Sequence, residues 1–367
     1  MSNNIMRPII LIGHERPLTQ LKYNKEGDLI FSAAKDHHVC VWYSANGARL
    51  GTYDGHKGTV WSLDIDNATE NLVTASADFS GKLWKAETGE CIYTWNFDAP
   101  VKRVEYSPDN KKVLFVTDNV MGQKGKIQIF NIDLSKGGEQ ESTPILEIVN
   151  EKEAINKVTI ATWSYGGRYI IAGHEDGSIS KFDALTGEEL AHTKSFNRTI
   201  TDIQASSDRT YFIFASKDQT AKIVDVESWK VLKEYESDSP VNAAVITPVK
   251  DFVIIGGGQD ARDVTTTSGG EGKFDAKIFH KIFNDEIGKI KGHFGPLNCL
   301  SIHPQSLSFV SGGEEGNIRL HHFPKLFFDF QYEVEKTAEV AQNQANAEIT
   351  ESPDQKDDKP DSLTSNN

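Results

Sequence analysis

Cysteine is scarce in this sequence. The three cysteines, Cys40, Cys91 and Cys299, are odd in number and far apart, and no Cys-x-x-Cys or Cys/His zinc spacing occurs. A disulfide framework needs cysteines in pairs, and a structural zinc site needs closely spaced Cys or His ligands. The sequence therefore predicts reduced thiols, as in a cytoplasmic protein, and no structural metal.

Long apolar runs and an excess of positive charge are also missing. No stretch of about 18 apolar residues occurs, and the first seven residues lack an apolar core, so neither a membrane span nor a signal peptide is expected. The 39 Lys and Arg residues are outnumbered by 53 Asp and Glu, which gives a formal charge of −14. Phosphate binding needs clustered cations, so we expect no direct nucleic-acid site and a preference for basic partners.

A repeat with a period of 42 residues is present. Three segments each contain a His, an acidic residue 22 positions later and an aromatic ring 28 positions after the His. This period and pattern are typical of WD repeats, each of which contributes one four-stranded blade to a β-propeller. The three sets are His14, Asp36 and Trp42; His56, Asp78 and Trp84; and His293, Glu315 and His321.

Four further turn acids mark degenerate repeats between the second and the last set: Asp118, Asp176, Asp218 and Asp260. The longer intervals between them contain Gly-rich or polar insertions, which cost little in surface loops. Counting the turn acids gives seven blades. The sequence therefore predicts an all-β fold, a seven-bladed WD40 β-propeller, with a short C-terminal helical and disordered tail.

The domain boundaries follow from the same repeat. The propeller is expected over residues 1–332. In WD propellers the sequence repeat is offset from the blade, so residues 7–12 are expected to close the last blade and cover a sheet edge. Residues 333–348 predict a marginal polar helix. Residues 349–367 are rich in Ser, Asp, Pro and Asn and have no aromatic side chain, which predicts a disordered acidic tail.

Sets of His, Ser and Asp could suggest catalysis, but the WD spacing favours a structural role. In a WD blade the His, a strand Ser or Thr, the turn acid and the Trp form one buried hydrogen-bond chain, which pairs polar groups and fixes the strand register. In the last blade a His replaces the Trp, so a looser network is expected. The predicted chains are His14, Ser32, Asp36 and Trp42; His56, Thr74, Asp78 and Trp84; and His293, Ser311, Glu315 and His321.

Other candidate sites give no support for an enzyme. His321 and His322 are neighbours on a strand and point to opposite faces, so they do not easily chelate a metal. The Gly-rich stretch that ends at Lys273 continues with Phe274 and is not a phosphate-binding loop, and no Gly-x-Ser-x-Gly occurs. The first strands are mostly apolar, whereas a propeller hydrolase needs inward carboxylates or metal ligands. We expect no catalytic residue, metal or cofactor.

Several segments carry residues that the WD pattern does not require. They are 13–20, 23–29, 118–121, 256–261, 263–267, 272–283, 286–288 and 292–298. On these residues the chain, over roughly 8–336, closely resembles subunit i, the WD-repeat subunit of eukaryotic translation initiation factor three, in its fungal form. An alternative is a receptor- or kinase-associated WD-repeat scaffold. The long match around 272–298 argues against it, because such scaffolds share only the repeat skeleton.

The resemblance implies a non-catalytic scaffold that binds the C-terminal segment of subunit b and also subunit g. It would contact the 40S ribosomal subunit through the complex and support pre-initiation complex assembly and mRNA scanning. The resemblance places the subunit b contact near blades five and six. There, the repeat puts Asp208 in the turn between the first two strands and Asp225 at the end of the third, on one face of the disc. Both positions are also common turn acids in WD repeats, which is the competing interpretation.

Overall fold

The computed structural model describes residues 7–120, 122, 124–134, 138–149, 157–259 and 274–329. In these ranges, 28 strands form seven four-stranded antiparallel sheets. The first strands of successive sheets contact one another in a closed ring, which runs from Leu18–Tyr23 round to Leu297–Ile302 and back. The predicted all-β seven-bladed propeller is confirmed.

Each sheet is one blade, numbered by the chain order of its first strand, and its strands run from the central ring outwards. Blades one to six use four consecutive strands, whereas blade seven takes its outer strand from the beginning of the chain. A 3₁₀ helix, Tyr165–Gly167, lies between the first two strands of blade four. The strands are Leu18–Tyr23, Leu29–Ala34, Val39–Tyr43 and Arg49–Tyr53 in blade one; Val60–Ile65, Asn71–Ser76, Ser80–Lys85 and Cys91–Asn96 in blade two; Val101–Tyr106, Lys112–Thr117, Lys126–Asn131 and Leu146–Val149 in blade three; Val158–Trp163, Tyr169–His174, Ser178–Asp183 and Glu189–Lys194 in blade four; Ile200–Ala205, Tyr211–Ser216, Thr220–Asp225 and Val231–Glu236 in blade five; Val241–Ile246, Phe252–Gly257, Ala276–His280 and Glu286–Ile290 in blade six; and Leu297–Ile302, Ser308–Gly313, Ile318–His322 and Ile9–Leu11 in blade seven.

Burial falls from the inner to the outer strands, because neighbouring sheets cover both faces of the inner ones. Every residue of Asn71–Ser76, the second strand of blade two, is buried. The outer strand of blade four, Glu189–Lys194, has no buried residue. The core between blades consists of apolar clusters shared by two adjacent sheets. In one of them, Trp95 of blade two packs against Phe115 and Phe130 of blade three.

Blade seven is completed by Ile9–Leu11, which pairs antiparallel with Ile318–His322. Leu11 lies opposite Ile318 and is buried in the apolar cluster shared by blades seven and one. The beginning and the end of the propeller sequence therefore meet in one sheet. The Ile318–His322 strand is therefore paired with Ile9–Leu11 and is not left as an open sheet edge.

The chain divides into two units, Met1–Phe323 and Pro324–Asn367. The described part of the second unit contains the short helix Lys325–Asp329. The polar helix expected over 333–348 and the acidic tail expected over 349–367 lie outside the described residues. Within the described ranges, no helix is long and apolar enough to cross a membrane.

Candidate partner-docking site

Blade one brings its four predicted polar residues into one chain of hydrogen bonds. His14 Nδ1 lies 2.9 Å from the Asp36 carboxylate, and His14 Nε2 lies 2.8 Å from Ser32 Oγ. The Trp42 indole donates to the same Ser32 Oγ at 2.9 Å, and Ser32 Oγ donates to the backbone carbonyl of Cys40. The chain links the loop that precedes the blade to its second and third strands. The hydroxyl of Ser32 uses its full hydrogen-bonding capacity in this chain.

Blade two repeats this arrangement. His56 lies 2.9 Å from the Asp78 carboxylate and 2.6 Å from Thr74 Oγ1, and Trp84 donates to Thr74 Oγ1 at 2.8 Å. In both blades the His and Trp side chains are buried. The spacing that could suggest a catalytic triad therefore produces a hydrogen-bond chain with buried His and Trp side chains in both blades.

The ion pair of blade one is held by its surroundings. Burial lowers the pKa of His14, but the interactions with Asp36 and Cys40 outweigh it and raise the pKa to about 9. Burial likewise raises the pKa of Asp36, and the hydrogen bond to His14 more than reverses this effect. An imidazolium and a carboxylate therefore face each other at neutral pH, which is the form that a charge-assisted hydrogen bond favours.

Blade seven keeps only part of the chain. His293 lies 2.6 Å from Glu315 and 2.8 Å from Ser311. His321 occupies the position of the Trp, yet it does not join the chain, and its buried Nδ1 has no hydrogen-bond partner. The sequence-based assignment of His321 to the chain needs this correction.

The reason is the residue opposite His321 on the second strand. Phe309 stands there, where blades one and two have the smaller Ile30 and Leu72 opposite their Trp residues. The imidazole stacks on the Phe309 ring, with centroids 4.7 Å apart and planes 7° apart. The imidazole of His321 is also smaller than an indole, since it lacks the fused benzene ring through which a Trp side chain packs.

The stacked His321 makes blade seven sensitive to acid. Burial, together with the nearby His293, Arg319 and His322, lowers the pKa of His321 from 6.5 to about 3. Because the unfolded chain takes up this proton first, stability is lost as the pH falls from about 6.5 towards 3. We expect this group alone to cost about 1.5 kcal/mol of unfolding free energy between about pH 6.5 and pH 5.

Urea denaturation of the wild type and of His321→Phe at the two pH values measures this contribution. Phenylalanine can still stack on Phe309 but does not titrate, so the variant should lose the corresponding part of the pH dependence. Equal pH dependence in the two proteins would show that His321 is not the acid-sensitive group.

Blade four contains a chain that the repeat pattern did not predict. His174 Nε2 lies 2.8 Å from Ser180 Oγ, which in turn lies 2.8 Å from His192 Nδ1. These residues lie on the second, third and fourth strands, not at the WD positions, so no fixed offset marks them. Only the strand register, which pairs Ser180 with His192, places them together.

The two predicted docking acids lie on the face formed by the first-to-second and third-to-fourth strand turns. Asp208 lies in the first turn of blade five and is exposed. Its Oδ1 accepts hydrogen bonds from the Ser206 hydroxyl at 2.6 Å and the Thr210 hydroxyl at 2.9 Å. Partial burial raises the pKa of Asp208, but these bonds outweigh it and leave the pKa below its ordinary value.

Asp225 ends the third strand of blade five. Its carboxylate accepts hydrogen bonds from the hydroxyl of Ser228 at 2.6 Å and from its amide at 2.7 Å, and these lower the pKa of Asp225. The backbone amide of Val226 donates to the carbonyl of Thr210, two residues after Asp208. The two turns are thus joined, and both acids are ionised at neutral pH on one face of one blade.

The Asp208 turn is also tied to blades three and four. Arg209, in the left-handed conformation with φ of 58°, donates to the buried Glu105 carboxylate of blade three and to the carbonyl of Trp163, each at 2.8 Å. Nothing in the local sequence indicates a contact between residues 104 positions apart. This ion pair holds the turn in place, and the Asp208 carboxylate takes no part in it.

Exposed apolar side chains lie on the same face, in turns of the two neighbouring blades. Leu185 lies in the third turn of blade four and Val249 in the first turn of blade six, with 80% and 63% of their surfaces exposed. Ile282 and Phe283, in the third turn of blade six, are also exposed. Ionised carboxylates among exposed apolar groups are suited to a partner rather than to a substrate. Within the described ranges, no group of three or more His, Cys, Asp or Glu residues could hold a metal ion.

Comparison with known proteins identifies relatives of nearly the same length. The family model described as EIF3I matches residues 6–333. A Vanderwaltozyma polyspora protein named eukaryotic translation initiation factor 3 subunit I is 55% identical over 93% of this chain and 99% of its own. Proteins of the same name from Saccharomyces cerevisiae and Aspergillus terreus are each 53% identical, over 93% and 90% of this chain and 100% and 98% of theirs. The chain therefore belongs to the family of eukaryotic translation initiation factor 3 subunit I.

Proposed function

We propose that this chain is a non-catalytic scaffold subunit of the initiation factor three complex, which binds the C-terminal segment of subunit b and also subunit g. It acts in the cytoplasm and needs no cofactor. It contacts the 40S ribosomal subunit through the complex, and so supports pre-initiation complex assembly and mRNA scanning. The observation that carries this proposal is the pair of ionised carboxylates, Asp208 and Asp225, on the turn face of blade five.

The spacing of the pair suits a cationic side chain. Asp208 follows the first strand of blade five and Asp225 ends the third, so their backbones lie about 9–10 Å apart, two strand spacings. An Arg or Lys from a docked segment fits between carboxylates at this separation. Their hydrogen bonds to Ser206, Thr210 and Ser228 fix both acids in position before the partner arrives. Such preorganisation reduces the ordering cost of binding.

The apolar groups around the pair indicate what kind of segment docks. Leu185 and Val249 lie on either side of blade five, in blades four and six, and both are largely exposed. An amphipathic segment that carries apolar side chains and a cation satisfies both features of this face. The formal charge of −14 also favours encounter with a basic segment.

The double charge reversal Asp208→Lys with Asp225→Lys tests this face. We expect the variant to stay folded by circular dichroism, because Asp208 is exposed and Asp225 is half-buried at the end of its strand, where a long lysine side chain can reach water. Capture of a peptide from the C-terminal segment of subunit b should weaken about tenfold or more, mostly through a faster off-rate. This is consistent with the cost of about 2–5 kcal/mol for removing one member of a desolvated charge pair.

A matched control separates the docking face from the general effect of charge. Asp98 and Asp109 are exposed acids of blades two and three, and Asp109 caps its turn through Ser107 just as Asp208 does through Ser206. Asp98→Lys with Asp109→Lys changes the net charge equally and should leave capture nearly unchanged. Normal binding by the folded Asp208/Asp225 variant would refute the proposed docking face.

A further inference from the structure

The first strands of all seven blades share one irregularity. At the second residue of each first strand the pairing with the second strand slips by one residue, so that this residue forms a bulge. The bulge residues are all half-buried and line one cavity at the start of the first strands. The seven first strands surround the central channel of the propeller, and this cavity lies at the opposite end of that channel from the Asp208 turn. The seven are Thr19, Trp61, Lys102, Thr159, Thr201, Asn242 and Asn298.

Five of the seven bulge residues link each blade to the next. Each is a Thr or Asn whose side chain donates to the backbone carbonyl of the residue just before the next blade's bulge. The bonds are Thr19 to Val60 at 2.6 Å, Thr159 to Ile200 at 2.7 Å, Thr201 to Val241 at 2.8 Å, Asn242 to Leu297 at 2.9 Å and Asn298 to Leu18 at 3.1 Å. A small hydroxyl or amide at this position therefore has a clear structural purpose.

Blades two and three depart from the rule. Their bulge residues are Trp61 and Lys102, and the ammonium of Lys102 lies 3.7 Å from the centroid of the Trp61 ring. The indole Nε1 of Trp61 has no hydrogen-bond partner. Two adjacent side-chain-to-carbonyl links of the ring are thus replaced by an aromatic–cation contact between blades two and three. These two residues lack the hydrogen bond that links the other blades, and the Trp61 indole N–H has no acceptor. This combination points to a ligand.

Further cations lie beside this pair. Arg103 follows Lys102 on the same strand and lines the cavity, and its buried Nε has no hydrogen-bond partner. Lys157 of blade four also lines the cavity and bonds to Asp118 at 2.8 Å, while Lys102 lies 3.6 Å from the same carboxylate. One carboxylate therefore serves two ammonium groups.

The charge balance at this corner favours one more anion. Burial, reinforced by the neighbouring Lys157, lowers the pKa of Lys102 even though Asp118 opposes the shift. Across the channel, burial raises the pKa of Asp202 despite the opposing effect of Arg103. Asp202 also accepts hydrogen bonds from the side-chain amide of Gln204, and Glu175 is the other acid that lines the cavity.

We propose that this mouth of the channel, defined by Trp61, Lys102, Arg103 and Lys157, is a second binding site that accepts an aspartate or glutamate side chain from an extended peptide. The cavity has a volume of about 410 Å³, which accommodates one or two side chains but not a folded element. The carboxylate binds between Lys102 and Arg103, and the peptide covers the Trp61 ring. A nucleic-acid strand is disfavoured. The three cations can attract only the phosphates nearest to them, and the rest of the strand is repelled by a chain of formal charge −14.

The test uses selection followed by measured affinity. A phage-displayed library of random 12-residue peptides is selected on the full-length chain, and enriched sequences are synthesised with a fluorescent label. Affinities are measured for the wild type and for Trp61→Thr with Lys102→Thr, which restores the residue type found in other blades. This variant should therefore melt no lower than the wild type. Arg103→Gln, which leaves the bulge ring intact, is measured in parallel, and Lys85→Thr, an exposed cation away from the channel, is the control.

We expect enriched peptides to contain an Asp or Glu whose change to Asn or Gln weakens binding about tenfold or more. The Trp61/Lys102 variant and Arg103→Gln should each weaken binding by a similar factor, and Lys85→Thr should not. The proposal is overturned if selection enriches no acidic residue, if the amide peptides bind as well as the acids, or if the folded variants bind like the wild type.

Discussion

Replacing Trp84 with alanine is expected to lower the free energy of unfolding by about 3–5 kcal/mol, the usual loss for a buried aromatic side chain. Trp42→Ala should have an effect of the same size. The Trp84 ring packs edge-on against Tyr53 and His56, with centroids 6.1 Å and 5.8 Å away. Removing it leaves a cavity between blades one and two.

The same substitution also removes a donor from a buried chain. Without the indole, Thr74 loses one of its partners, and the chain that runs from Thr74 through His56 to Asp78 loses its anchor. Stranded buried polar groups add to the packing loss. Urea or thermal unfolding measures the total.

Trp61 provides a control for this experiment within the same blade. It is half-buried and its indole Nε1 has no partner, so Trp61→Ala should cost clearly less than Trp84→Ala. If Trp42→Ala or Trp84→Ala melted normally but lost partner binding, these tryptophans would be contact residues and the structural interpretation of the chains would be wrong.

Deleting residues 1–12 is the second change with a large expected effect. It removes the Ile9–Leu11 strand, so the Ile318–His322 strand loses its ladder and becomes an open edge. It also removes the buried Leu11 from the cluster between blades seven and one. The loss of a buried leucine together with a ladder of hydrogen bonds is roughly 5 kcal/mol or more, a large share of the stability of a typical domain.

Deletion of residues 349–367 is the comparison. The composition of this segment gives it little apolar surface to bury, so its removal should leave the melting temperature nearly unchanged. Soluble yield and calorimetry of both truncated chains decide the question. If both truncations melted at the same temperature, ring closure by the first strand would not be important for stability.

The sequence was sufficient for the architecture because the repeat encodes it. The offsets of 22 and 28 residues from His14 and His56 placed the blades, and the structure brings the same residues together. Seven turn acids gave the number of sheets even where Trp and His were lost. A period of this kind is local information, since each of blades one to six is one continuous stretch of chain.

Features that depend on neighbouring blades could not be predicted in this way. The stacking of His321 on Phe309 depends on the size of a cross-strand neighbour. The Arg209–Glu105 ion pair joins blades five and three, which are not neighbours in the ring. The bulge ring became visible only when the strand register was known, although Trp61 and Lys102 stand at equivalent repeat positions.

The two proposed docking acids could be predicted from the sequence only in part. The repeat alone placed Asp208 and Asp225 in two turns of one blade, but turn acids are common in any WD repeat. The structure adds that exposed Leu185 and Val249 lie on the same face and that Arg209 braces the Asp208 turn. The proposed partner comes from the family, because charge and shape define only the kind of segment that fits.

Hydrogen–deuterium exchange of the full-length chain, with and without the C-terminal segment of subunit b, tests the central claim most directly. Binding through the proposed face should slow exchange in the turns around Asp208 and Asp225 and in the neighbouring turns around Leu185 and Val249, and should leave the other blades unchanged. Protection confined to other blades, or no protection at saturating partner, would contradict the account.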